Sequence, residues 1–294
     1  VITMMRVREV ARGDLSRIRD EDWVDWSRRP FVRGDVAYVP VRDGFSFSSI
    51  LPDPQTCRGR GYTMIGTVAV FHGKEKPRDA DVRAVEVSRK PTAVLWIPSS
   101  AGQRRKPRAH VLAGTPGEVV HRECGITYFL DPSRIMFSAG NRGEKERLRK
   151  MVRPGERVAD MFAGIGYFSL PVAVQGAKVH AMEIDPDAFS FLVRNIGANG
   201  VADLVVPQLG DCRSCLSGTY DRIIMGHFDS CLYLDCALSH VREGSVLHVH
   251  TAGDASGPIG DFLAGRGIRA TVETRRVKKL GPRIWHCVQD VTIG

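Results

Sequence analysis

Short apolar runs and stretches of helical periodicity take turns along the second half of the chain. Strands are predicted at Arg157 to Phe162, Lys178 to Ile184, Leu204 to Leu209, Asp221 to Met225 and Ser245 to His250. Helices are predicted between them: after Gly166 through Val174, from Pro186 through Asn195, over Cys231 to His240, and over Ile259 to Ala264. Strand–helix alternation of this kind builds a parallel sheet covered on both faces. Two last extended runs, Arg269 to Val277 and Ile284 to Val291, predict a closing hairpin-like pair. Upstream, Glu144 to Val152 (EKERLRKMV) reads as a charged helix ended by Pro154-Gly155.

The front half has a different texture. Tyr62 to Phe71 (YTMIGTVAVF), Thr92 to Ile97 and Ile126 to Leu130 read as strands, and Gly102 to His110 as a loop carrying Arg104, Arg105, Lys106 and Arg108. The first 60 or so residues mix short helical and extended signals. With 294 residues, two domains are expected: a smaller β-rich α+β domain over 1–136 and an α/β domain over 137–294.

Charge sharpens that division. Residues 1–136 hold 23 basic and 16 acidic side chains, a net +7, whereas residues 137–294 hold 19 and 17, a net +2. A basic domain beside a nearly neutral one suggests that the first docks a polyanion and the second does chemistry; a merely solvated basic surface is the plainer alternative. No apolar run approaches the ~18 residues of a membrane span. Val1 to Met5 is too short for a signal-peptide core, which points to the cytoplasm. The seven cysteines then read as reduced thiols. Cys212 and Cys215 with Cys231 and Cys236 have some look of a zinc site, but the second spacing is wrong and no metal is expected.

The motif with the most chemistry is Asp160-Met-Phe-Ala-Gly-Ile-Gly-Tyr-Phe168, at the end of the first predicted strand of the sheet. A glycine turn between strand and helix lets backbone approach a ligand and aims a helix N-terminus at it. Glu183 ends the next strand and can bind both hydroxyls of a ribose. Asp211, ending the third, suits an adenine amine, with the Cys212 N–H on the ring. A dinucleotide fingerprint would want a third glycine where Ser169 stands, so three acids at three strand ends favour S-adenosylmethionine over NAD.

These residues, with His121-Arg-Glu123 and Ile135-Met-Phe-Ser-Ala-Gly-Asn-Arg-Gly-Glu-Lys-Glu-Arg147 upstream, closely resemble the tRNA guanine-N1 methyltransferase superfamily. The resemblance implies a Rossmann-like class I methyltransferase fold, seven-stranded and mostly parallel, acting beside the anticodon of tRNA as a monomer. The methyltransferase branch carries Pro-Arg and Asn-x-Pro where this chain has Gly140-Asn141 and Met225-Gly226-His227. Both departures, with His248-Val-His250, resemble the wybutosine-synthesis aminocarboxypropyltransferases. That branch implies a substrate, tRNA(Phe) bearing 4-demethylwyosine, and a transferred group, 3-amino-3-carboxypropyl, with methylthioadenosine released.

By residue-wise resemblance Ser138, Lys145, Phe162, Gly164, Glu183, Asp211 and Cys212 bind the cofactor, Lys145 through its carboxylate. Ser138 read without that resemblance is a helix cap, and Lys145 one charge on a solvated helix. Asn141, His248 and His250 are the candidates near the chemistry. The two histidines share a strand face that would border the crevice, or are simply packed. Arg104 to Arg108, and Arg275-Arg-Val-Lys-Lys279 with Arg283, are candidate tRNA-phosphate contacts. The alternatives are guanine-N1 methyl transfer on the same fold, a nicotinamide-dependent oxidoreductase, and a non-catalytic RNA-binding scaffold.

Overall fold

The computed structural model describes residues 4–18, 21–28, 30–52, 61–101, 106–281 and 283–294. The chain folds as two compact units, Val1–Gly61 with Pro77–Ser88, and Tyr62–Lys76 with Arg89–Gly294. In the first, strands Phe31–Arg33, Val36–Pro40, Met4–Ala11 and Ser49–Pro52 form an antiparallel sheet in that spatial order. Its small core is Trp23, Val24, Ala37, Val39 and Val41.

The second unit holds a seven-stranded sheet, whose strands we number in chain order. They are β1 (Arg157–Asp160), β2 (Lys178–Glu183), β3 (Val205–Leu209), β4 (Arg222–Met225), β5 (Val246–Ala252), β6 (Ala270–Lys279) and β7 (Trp285–Ile293). Their spatial order is 3-2-1-4-5-7-6. The first five are parallel, and β7 runs antiparallel to both β5 and β6. Successive side chains point to opposite faces, so Val158 and Ile224 join one apolar cluster while Ala159 and Ile223 join the other. Helices α1 (Arg142–Met151), α2 (Ser169–Ala173) and α3 (Pro186–Ala198) give Leu148, Leu170 and Phe191 to the first. Helices α4 (Cys212–Cys215), α5 (Leu234–Leu238) and α6 (Ser256–Ala264) give Cys215, Leu234 and Ile259 to the second. This is the α/β architecture expected.

Three details differ from expectation. Tyr62 to Phe71 is two strands, Tyr62–Ile65 and Val68–His72, that pair antiparallel across a turn at Gly66. Gly66 has φ +55°, and a Cβ there would lie 2.7 Å from the Val120 carbonyl oxygen. The stretch Cys231 to His240 is a 3-10 turn, Ser230–Tyr233, followed by the short α5. Finally, the expected boundary at 136/137 falls inside the second unit. The hairpin Val119–Glu123/Ile126–Leu130 belongs with the large sheet because α3 clamps it through amide side chains. Asn195 Oδ1 accepts from Phe129 N (2.7 Å), Asn199 Oδ1 from Thr127 N (2.9 Å), and both Nδ2 groups donate back to the same residues' carbonyls. Such bonds satisfy backbone groups that a docked hairpin would otherwise bury unpaired.

Candidate active site

A cavity of about 430 Å³, within the ~300–1,000 Å³ usual for small-molecule sites, opens at the C-terminal ends of β1 to β4. That is where an open α/β sheet binds its ligands. Ser138, Asn141, Lys145, Phe162, Gly164, Glu183, Asp211 and Cys212 all border it.

The glycine turn is organised from below. Asp160 is fully buried; its carboxylate accepts from Ser169 Oγ (2.7 Å) and Phe162 N (3.3 Å). Burial pushes its pKa up to about 6, with those hydrogen bonds opposing the rise. Ser169 thus anchors the acid where a dinucleotide fold would pack a glycine. Gly164 has φ +57°, and a Cβ on it would strike the Tyr167 ring at 2.6 Å. Only glycine gives both that conformation and that approach.

Glu183 ties two turns together, accepting from Gly164 N and Asp185 N, each at 2.7 Å. Burial raises its pKa and the two amides hold it back. Each oxygen keeps a further lone pair for a ligand hydroxyl. Asp211 caps α4 through Arg213 N (2.9 Å), and the Arg213 guanidinium grips both its oxygens. That contact holds its carboxyl below the usual range. Burial pushes the Cys212 thiol up to about 12, so at neutral pH it is an inert wall. Cys212 and Cys215 lie in the apolar core with Cys231 and Cys236 packed against it, and the described residues contain no cluster fit for a metal.

The opposite wall is the loop leading into α1. Ser138 does not cap the 3-10 turn Ala139–Asn141; its hydroxyl accepts from Lys278 Nζ at 2.5 Å. Lys145 is no surface charge. It is 1% exposed, its ammonium lies 2.6 Å from Glu123, and the Phe137, Tyr128 and Tyr167 rings stand 4.6, 5.1 and 5.3 Å away. Burial pulls its pKa down, and Glu123 draws it back up. Asn141 Oδ1 is buried and has no hydrogen-bond partner.

The two β5 histidines do not reach the cavity. His248 Nε2 faces Arg222 Nη1 at 2.7 Å, and Nδ1 faces Asp290 Oδ1 at 2.5 Å. A guanidinium only donates, so Nε2 must accept and the proton sits on Nδ1; no substrate proton can be taken there. Burial, Arg222 and Arg147 lower its pKa against the pull of Asp290. His250, also fully buried, packs on Phe168 and pairs with His286 through Nδ1 and Nε2 (2.9 Å). His286, from β7, is the histidine of this pair that borders the cavity.

Sequence reasoning missed Arg134 and Phe228 as cavity residues, and it assigned Lys106 and Lys278 to tRNA phosphates rather than to this wall. Lys106 stands at the rim, paired with Asp185 (3.3 Å) and Asp187 (3.0 Å), and Arg134 pairs with Asp187. His227, Phe228 and Lys278 line the far end. Arg104 and Arg105 lie outside the described residues. Arg275, Arg276, Lys279 and Arg283 are exposed, as a phosphate-contacting surface requires.

The residues present fit S-adenosylmethionine. A glycine turn admits its backbone-close end, paired acceptors on Glu183 suit its ribose, and an orphaned buried oxygen on Asn141 awaits a donor. Sheet order, turn and strand-end acids together define a Rossmann-like, S-adenosylmethionine-dependent transferase of the class I methyltransferase type.

Residues 119–259 match the TRM5/TYW2 methyltransferase domain. The chain is 38% identical over 203 residues to the tRNA(Phe) (4-demethylwyosine(37)-C(7)) aminocarboxypropyltransferase of Pyrococcus horikoshii, covering 65% of this chain and 73% of that one. It is 33% identical over 244 residues to the protein of the same name from Methanocaldococcus jannaschii, covering 79% and 97%. The crystal structure of P. horikoshii TYW2 in complex with MeSAdo superposes with a TM-score of 0.69 at 31% identity, over 83% of this chain and 94% of that one. The chain belongs to the TRM5/TYW2 family.

Proposed function

We propose that this protein transfers the 3-amino-3-carboxypropyl group of S-adenosylmethionine to carbon 7 of 4-demethylwyosine in tRNA(Phe), acting in the cytoplasm as a monomer. The observation that carries this reading is what borders the cavity at two places. Gly140, Asn141, Gly226 and His227 border it, and by the resemblance drawn from the sequence they stand where the methyltransferase branch carries Pro-Arg and Asn-x-Pro. An arginine and an asparagine there serve a guanine that must lose a proton. The MeSAdo in the P. horikoshii complex supports the same reading, since methylthioadenosine is what remains of the cofactor once that group departs.

When bound, S-adenosylmethionine supplies a carbon made electrophilic by the adjoining sulfonium. In our reading Glu183 accepts from both ribose hydroxyls, and Asp211 with the Cys212 N–H reads adenine. Gly164 admits the nucleoside to the backbone and Phe162 packs beside it. Ser138 and Lys145 face the amino-acid end; Lys145 spends one of three N–H donors on Glu123 and keeps others to offer. Holding the cofactor so that its γ-carbon rather than its methyl meets the base is an orientation effect and needs no new catalytic group. Asn141 shapes the pocket at that point. The basic 1–136 stretch and the exposed Arg275, Arg276, Lys279 and Arg283 dock tRNA phosphates.

The test is incubation with undermodified tRNA and S-adenosylmethionine labelled either in the carboxyl or in the methyl group. Label in tRNA from the carboxyl form alone, with methylthioadenosine released, is expected. Label from the methyl form would replace the proposal with guanine-N1 methylation.

A further inference from the structure

Lys278 reaches the cavity because of an irregularity in its strand. The β6–β7 register runs Arg275 opposite Val288 and Arg276 opposite Cys287, then skips Val277 and resumes with Lys278 opposite His286. This is a one-residue bulge, a device that re-aims side chains beside active sites. Directly paired residues share a face of an antiparallel ladder. The bulge therefore gives Lys278 the face of His286, and both border the cavity. In an unbroken ladder Val277 would oppose His286, and Lys278 would point to the other side of the sheet.

The landing place is also prepared. Lys278 Nζ donates to Ser138 Oγ at 2.5 Å. Its stem lies so close over Gly140 that a Cβ there would be 2.8 Å from Lys278 Cδ. One residue further, Asn141 presents its buried, unpartnered Oδ1. An ammonium, a hydroxyl and an amide oxygen thus converge on one wall. An α-amino-acid head group requires that set: cation and hydroxyl for the carboxylate, an acceptor for the ammonium.

We propose that Lys278, with Ser138 and Asn141, reads the amino-acid head of S-adenosylmethionine and so fixes which carbon faces the base. This deepens the reading above and rests on it. Lys278 is a binding and orienting residue and takes no proton from the substrate. Lys145, paired with Glu123 and 4.6 Å from the ring of Phe137 beside Ser138, stands behind the same wall with its remaining N–H donors.

The test compares three ligands by calorimetric titration of the full chain. S-adenosylmethionine and S-adenosylhomocysteine carry the head group, and methylthioadenosine lacks it. Lys278→Met is expected to weaken the first two by roughly ten- to a hundred-fold, the scale of a charge-assisted hydrogen bond, and to leave methylthioadenosine within about two-fold. Retained methylthioadenosine binding also certifies the fold. Asn141→Leu is expected to follow the same pattern. Equal weakening of all three ligands, weakening of S-adenosylmethionine alone, or no weakening would each overturn the assignment. Failure of the proposed reaction would appear separately, as methyl label in tRNA from the unaltered enzyme, whatever the binding pattern.

Discussion

Lys145→Met asks what the most deeply buried ammonium near the site is worth. Lys145 is 1% exposed and Glu123 8%, with 2.6 Å between them. Removing the ammonium leaves a carboxylate among the Tyr128, Phe137 and Tyr167 rings, with the one cation they surround gone. Truncating one member of a buried pair costs about 3–5 kcal/mol, mostly as the desolvation of the survivor. At roughly 2–4 °C per kcal/mol for a domain of this size, the transition of the second unit should fall by about 6–20 °C in scanning calorimetry at pH 7.5. Adding Glu123→Leu removes the stranded charge, so the double variant should return to within about 1–2 kcal/mol of the parent. A single variant within about 1 kcal/mol of the parent, or a double variant no better than the single, would refute the reasoning; the pair would then be solvated in solution.

Two further outcomes are expected. Glu183→Ala should weaken methylthioadenosine binding by about 1–3 kcal/mol, the scale for leaving ligand hydroxyls unpaired in a buried site; unchanged affinity in titration would remove the ribose assignment. Acid should destabilise the second unit earlier than its carboxylates alone would dictate. Burial, before any neighbouring charge, holds His248 and His250 below the ordinary imidazole value of about 6.5, so each binds fewer protons folded than unfolded. Their stabilisation is complete above 6.5 and is lost as pH falls below it, at up to about 1.4 kcal/mol per pH unit for each. His250→Phe, measured by urea denaturation from pH 7.5 to 5, should flatten that slope by about half. An unchanged slope would mean that the ring is already charged in the fold.

What the sequence made legible was contiguous chemistry. Asp160 to Gly166 could be read because strand, turn and helix follow one another, and the acids at Glu183 and Asp211 follow from strand ends counted along one chain. What it hid depends on pairing. Period-two spacing put His248 and His250 on one face but could not say that Arg222, Asp290 and Phe168 already cover it. Lys145 sits in a charged helix, and its partner lies 22 residues upstream on a hairpin that meets it only after docking. The β-branched run from Tyr62 to Phe71 continues through Gly66 and Thr67 with no charged residue or proline, so its pattern predicts one strand where two fold back. Lys278 looked like one cation of a surface cluster, because a bulge is a property of two strands and is written in neither alone.

The skipped residue at Val277 makes side-chain facing in the last strand pair depend on chain length rather than on residue identity. Removing that single codon would swing the ammonium away from Ser138 and the cavity, while an ordinary point substitution there would leave it aimed. Under the proposed role of Lys278, reaction choice is open to retuning by insertion or deletion at the sheet's margin, more than a hundred residues along the chain from the glycine turn and with Glu183 and Asp211 left in place.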